Sequence, residues 1–170
     1  LLRIAAMLHD VGKVAIPDLI LKKPSRLDEN EYEVIKQHTI LGARLFAHPK
    51  SEFDEAALEV VLNHHERWDG TGYPGFIEPL TGKPIPGYED GNGKPRPKQK
   101  EEIPVFGRVV ALADVYDALS SNRSYKKPWK EKKVLESIQA EAGKQFDPSM
   151  VEAFFSCLEV IHNIKKQYSE

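Results

Sequence analysis

The sequence predicts an all-α fold. Apolar residues recur three and four apart along most of the chain, and capping residues stand where two of these stripes begin. The one long stretch without such a period is rich in proline and glycine. Leu1, Ile4, Ala5 and Leu8 open the first helix, with Gly12 expected to close it in the left-handed conformation. Pro17 and Pro24 mark an extended connector. Asp28 and Glu31 form a capping box for a helix through Tyr32 and Ile35 to about Gln37. A shorter helical stretch carries Ile40, Leu41, Leu45 and Phe46, and ends before Pro49. Ala57, Val60 and Val61 form a stripe leading to His64.

Phe76–Glu102 changes character: these 27 residues hold five of the 12 prolines and four of the 11 glycines. A long loop or short hairpin is expected there, inserted into the bundle. Pro104 starts the helix of Val109, Val110, Leu112, Ala113, Tyr116 and Leu119. Val134, Leu135, Ile138 and Ala142 make another, closed by Gly143. Asp147-Pro148 caps a last helix running through Val151, Phe154, Phe155, Leu158 and Ile161.

With 170 residues, 41% of them hydrophobic, the chain is sized for a single domain with its own core. Lys and Arg total 24 against 26 Asp and Glu, and this balance speaks against a duplex-DNA partner. A single cysteine excludes an internal disulfide or a cysteine-rich metal site. There is no apolar run of the ~20 residues a membrane helix needs, and no signal peptide. The sequence opens at Leu1, without methionine and inside an amphipathic stripe, so a longer parent chain truncated on its N-terminal side is expected.

Several polar residues do not fit a core. His9-Asp10 follows the first helix, His38 is expected to end the helix opened by Asp28, His64-His65 ends the next, and Asp114 interrupts the apolar run Ala111–Val115. A histidine at a helix end is by itself most simply a dipole partner, and one acid can be satisfied in a core. Four such histidines beside acids or one another point instead to a metal site. An imidazole and carboxylate set suits iron, manganese, nickel or zinc.

The hexapeptide Leu8-His9-Asp10-Val11-Gly12-Lys13 resembles the signature of the HD superfamily of metal-dependent phosphohydrolases. His64-His65-Glu66-Arg67-Trp68-Asp69-Gly70-Thr71-Gly72-Tyr73-Pro74 resembles the longer signature of its HD-GYP branch. Ala113–Leu119 and Arg123-Ser124-Tyr125-Lys126 resemble two further blocks of that branch. The resemblance implies an HD-type helical bundle over residues 1–170. It also implies a phosphodiesterase hydrolysing cyclic di-GMP to linear pGpG or GMP through a metal-bridging hydroxide. His9, Asp10, His38, His64, His65 and Asp114 would ligate two or three divalent ions, with Asp10 bridging two of them. The family places further ligands on a helix upstream of the doublet, before Leu1.

Lys13, just past the doublet, is positioned to neutralise a phosphate or assist the departing oxygen, and with Asp10 it makes up the catalytic pair. By the same resemblance Arg123 and Lys126 contact substrate phosphates, while Tyr73 offers the ligand a hydroxyl and an aromatic face. Glu66 and Asp69 are candidate acceptors for the ring N–H groups of the ligating imidazoles. Asp117 could do the same or cap a loop, and Trp68 could stack on guanine or pack in the bundle. His48, His162 and Cys157 are given no chemistry. The 76–102 segment, with five bases and five acids, is expected to be a lid or partner contact. Expected partners are cyclic di-GMP, an attached upstream sensor or receiver domain, and a second copy or a signalling protein, all in the cytoplasm. Two rival readings remain: another HD-type enzyme (a nucleotide phosphohydrolase or a diiron oxygenase), or a non-catalytic module that binds a cyclic dinucleotide or a protein.

Overall fold

A computed structural model of the protein describes residues 1–121 and 128–167. Along them run α1 (Leu2–Ala6), α2 (Asp18–Leu21), α3 (Glu29–Lys36), α4 (His38–Ala43), α5 (Glu52–Asn63), α6 (Val105–Ser120), α7 (Glu131–Ala140), α8 (Pro148–Ser156) and α9 (Leu158–Gln167). Short 3₁₀ turns cover Val11–Ala15, Arg44–Phe46 and Lys100–Glu102. The described strands are β1 (Ile77–Glu78) and β2 (Lys83–Pro84), an antiparallel pair in which Ile77 faces Pro84. No described helix is long and apolar enough to cross a membrane.

Helices α5 and α6 organise the molecule. The Ser51 hydroxyl accepts from the Asp54 amide to start α5. One face of α5 (Ala56, Ala57 and Val60) then packs on Ala5 of α1 and Val110 of α6. Its other face puts Val61 and Leu62 against Ala43 of α4 and Ile77 of β1. Further along α6, Leu112 and Tyr116 join Val134, Ile138, Phe146, Val151 and Phe154 in a separate cluster. Each such buried aliphatic side chain stabilises the fold by about 1.5–3 kcal/mol over its exposed state. Together these contacts fix the C-terminal end of α5 and the middle of α6, the places that carry His64-His65 and Asp114.

Local chemistry explains most boundaries. Asp28 and Glu31 do form the capping box of α3, and Asp147 caps α8 with Pro148 in its first turn. Gly143 adopts φ 78° just after α7. Four expectations need correcting. The stretch between Pro17 and Pro24 is not an extended connector throughout, because Asp18–Leu21 forms α2. Gly12 is not a left-handed helix terminator but lies within the 3₁₀ turn. A Cβ there would stand 1.9 Å from the carbonyl oxygen of His38, so glycine is required because two backbones touch. His38 does not end the helix opened by Asp28; that helix stops at Lys36, and His38 is the first residue of α4. The last helix is two helices that part at Cys157, where the Ser156 hydroxyl takes the Ala153 carbonyl at 2.7 Å, competing with the backbone ladder.

Candidate metal centre

The contact between Gly12 and the backbone at His38 draws the turn carrying Asp10 onto the start of α4. The end of α5 supplies His64 and His65 from the other side. Ligand atoms of Asp10, His38, His64 and His65 all lie within 4.8 Å of one another. Nε2 of His38 is 3.2 Å from Nε2 of His64, and Oδ1 of Asp10 is 3.3 Å from the former and 3.8 Å from the latter. Nε2 of His9 lies 3.4 Å from Oδ2 of Asp10 and 3.7 Å from Oδ1 of Asp114. His9 and Asp114 therefore flank the four on the Oδ2 side of Asp10. Asp114 is half-buried, less enclosed than its apolar neighbours in sequence suggest.

The tautomers follow from the outer nitrogens. Nδ1 of His9 donates to the Ala6 carbonyl at 2.7 Å, Nδ1 of His38 to Ile35 at 2.7 Å, and Nδ1 of His64 to Val60 and Val61 at 3.1 Å. A carbonyl only accepts, so these nitrogens carry the protons. Nε2 of His38 and of His64 then presents a lone pair, whereas Nε2 of His9 faces the Asp10 carboxylate, which favours a second proton on that ring. Burial keeps the rings neutral: it lowers His38 and His64 and pushes His65 down to about 3. Burial works to raise the Asp10 carboxyl, but hydrogen bonds from His9 and Lys13 outweigh it and hold the group well below the usual carboxylate range. The Asp10 hydrogen bond in turn raises His9. Oδ1 of Asp10 is buried without a hydrogen-bond donor. Lone pairs thus converge with no proton between them, an arrangement that is costly in a protein interior unless a cation sits among them. Two imidazole nitrogens each about 2.1 Å from one ion stand roughly 3.0–3.4 Å apart, so the observed pair fits a divalent metal.

The centre opens on a cleft of about 380 Å³ lined by Lys13, Tyr32, His65, Arg67, Tyr73 and Gln145 among others. Lys13 Nζ is 2.5 Å from Oδ2 of Asp10. The ring of Tyr73 stacks on His65 at 4.9 Å, so one of its faces is spent on a candidate ligand. Burial raises its hydroxyl far above the usual phenol value, keeping it protonated. Tyr32, which its apolar spacing placed on a core stripe, is 49% exposed at the cleft and meets Tyr73 edge to face. Arg67 was also missed; it donates to Asp69, Thr71 and Glu141, and so links the loop after His65 to the end of α7. Its position inside the motif gave the only hint.

The acids expected to support the imidazoles do other work. Glu66, 2% exposed, accepts from the Gly75 amide at 2.5 Å and the Lys98 amide at 3.3 Å. Burial raises it to about 7. Asp69 accepts from Thr71 and Arg67, and Asp117 from the Ser121 hydroxyl. Backbone carbonyls orient the rings of His9, His38 and His64 instead, because each ring lies within reach of the preceding helical turn. Trp68 packs beneath the Arg108 guanidinium, 5.8 Å from its ring centre. Arg123 and Lys126 lie outside the described residues.

A family model described as HD domain matches residues 1–119. The chain is 39% identical over 148 residues to the 3'3'-cGAMP-specific phosphodiesterase 2 of Vibrio cholerae, covering 87% of this chain and 24% of that protein. It is 37% identical over 166 residues to a cyclic di-GMP phosphodiesterase of Thermotoga maritima, covering 98% and 39%. It is 37% identical over 169 residues to the cyclic di-GMP phosphodiesterase response regulator RpfG of Xanthomonas campestris, covering 99% and 39%. The chain therefore spans between 24% and 39% of these relatives. A solved cyclic GMP-AMP specific phosphodiesterase of V. cholerae shares the fold, with TM-score 0.57 at 22% identity over 93% of this chain and 37% of that one.

Proposed function

The chain belongs to the HD domain family, and on that premise we propose that it is a metal-dependent phosphodiesterase hydrolysing cyclic di-GMP to linear pGpG or GMP. The observation that carries this reading is the proton-free convergence of His38, His64 and Asp10, with His65 beside them. Such a set is suited to holding a divalent ion, and Oδ1 of Asp10, which faces His38 and His64, has no hydrogen-bond donor. His9, Asp10, His38, His64, His65 and Asp114 would hold two or three ions, with iron or manganese favoured by the mixture of imidazole and carboxylate. When bound, such ions activate water and neutralise the phosphodiester.

The protein's own residues have separable tasks. The carbonyls of Ala6, Ile35 and Val60 orient three rings so that Nε2 points inward. The Lys13 ammonium, at the cleft wall, neutralises a non-bridging phosphate oxygen and can give its Nζ proton to the departing ribose oxygen. Tyr73 and Tyr32 wall the cleft and limit water around the reacting phosphate. Arg123 and Lys126 are assigned to substrate phosphates; alanine at either should leave metal content intact and cost about 1–3 kcal/mol in transition-state stabilisation.

We read residues 1–170 as one such domain, with the 76–102 segment inserted, attached to a sensor or receiver domain in the full protein. A nucleotide substrate places it in the cytoplasm. Relatives named for 3'3'-cGAMP favour that nucleotide as the second candidate substrate. Hydrolysis of cyclic di-GMP and 3'3'-cGAMP by manganese- or iron-loaded protein, followed by product chromatography, tests the reading: pGpG or GMP from cyclic di-GMP supports it, and turnover of 3'3'-cGAMP alone would replace the substrate. Binding of either without turnover would favour the non-catalytic module.

A further inference from the structure

A second cleft, of about 330 Å³, adjoins the metal cleft and shares Gly72 and Tyr73 with it. Lys36 of α3 stands on one side, and Lys94, Pro95 and Pro97 of the 76–102 segment on the other. The segment is anchored where it forms this wall. The two oxygens of Glu66 accept from the amides of Gly75 and Lys98, one at each end of the excursion. The Lys98 ammonium reaches Asn63 at 2.6 Å, and Arg96 makes a forked pair with Glu102 at 2.8 and 3.0 Å.

The zero net charge of the segment hides an uneven local balance. Glu78 accepts from the amides of Leu80 and Thr81, Glu89 from Gly87, Asp90 from Asn92 and Lys94, and Glu102 from Arg96. These carboxylates are engaged within the segment. Asp90 lies near enough to Lys94 to feel its charge but does not line the cleft, and the Lys94 ammonium, in no ion pair among the described residues, does line it. Opposite it, the Lys36 ammonium sits 5.4 Å from the Tyr73 ring centre and pairs with Glu33. Two lysines against one glutamate leave the cleft cationic, and its proline and tyrosine walls present flat apolar surface.

A cyclic dinucleotide has two phosphodiesters and two bases, and only one phosphodiester can react at a time. We propose that this second cleft is the subsite for the nucleotide half remote from the metal centre, with Lys94 and Lys36 attracting its phosphate and the proline face its base. This assignment rests on the phosphodiesterase reading above and adds a binding role for the 76–102 segment.

The test compares two substrates on the same preparations: cyclic di-GMP, and bis(p-nitrophenyl) phosphate, which has one phosphodiester and no second nucleotide. Lys94→Glu should lower the ratio of kcat/KM for cyclic di-GMP to that for the small diester about tenfold, mainly through KM. Lys36→Ala should move the ratio the same way. Lys83→Glu makes the same charge change in the same segment away from the cleft, and should leave the ratio at the wild-type value. A wild-type ratio in Lys94→Glu, or an equal fall in Lys83→Glu, overturns the subsite. Wild-type protein that cleaves the small diester but no cyclic dinucleotide refutes the substrate reading itself, whatever the Lys94 variant does.

Discussion

Oδ1 of Asp10 lies 3.3 Å from Nε2 of His38, while its other oxygen takes the Lys13 ammonium at 2.5 Å and faces His9. The two oxygens thus serve two sides of the centre, one toward His38 and His64, the other toward His9 and Asp114. A carboxylate placed in this way is suited to joining two ions.

Asp10→Ala should therefore abolish both metal binding and turnover. Elemental analysis beside a rate assay checks this, and normal metal content with a small loss of rate would refute the bridging role.

Gly12→Ala tests the backbone contact that brings the Asp10 turn to α4. Its Cβ would meet the His38 carbonyl oxygen at 1.9 Å and the Gly42 nitrogen at 2.5 Å, so the two segments must separate. The variant should lose about 1–3 kcal/mol of stability and bind metal more weakly. Denaturant unfolding and metal titration measure the two effects; an unchanged midpoint would mean that the contact is dispensable.

Ile138→Ala should separate stability from chemistry. Ile138 is fully buried in the α6–α8 cluster, away from the cleft. The expected cost is about 2–5 kcal/mol in unfolding, with metal content per folded molecule unchanged.

The metal-free protein should weaken as pH falls. His38, His64 and His65 have folded-state values below the unfolded 6.5, so the unfolded chain binds protons first. The stability they contribute is present above pH 6.5 and is lost downward, for His65 to about 3. Glu66 acts oppositely: raised from 4.5 to about 7, it costs stability as pH rises through that window. Glu59 is raised as well, and His9, raised above 6.5, opposes only above that value. Three lowered histidines thus face two raised carboxyls, so stability should fall between pH 6.5 and 4.5 and more steeply below 4.5, by at most about 1.4 kcal/mol per pH unit for each titrating group. Urea midpoints with a chelator present, at pH 7 and pH 5, decide it. A higher midpoint at pH 5 would contradict the neutral-imidazole account.

What could be read from the sequence was local or strongly periodic. The Asp28–Glu31 box and the Asp147-Pro148 start depend on neighbours within one turn, and both form as expected. The segment from Phe76 to Glu102 was legible as a long loop or a short hairpin, because its prolines and glycines allow little else, and it holds the short β1–β2 pair within an otherwise irregular course. Tertiary relations were not legible. Gly12 looked like a helix terminator because its contact, the His38 backbone, lies 26 residues away in sequence. Glu66 looked like an imidazole partner because it adjoins His65, yet it holds Gly75 and Lys98. Tyr32 has the spacing of a core residue and stands at the cleft.

The most direct test of the metal account is cyclic di-GMP hydrolysis by one preparation before chelation, after it, and after manganese or iron is restored, with metal content measured at each stage. The account predicts that activity vanishes with the metal and returns with it, and that Asp10→Ala recovers neither. Undiminished hydrolysis by the metal-free protein would contradict it.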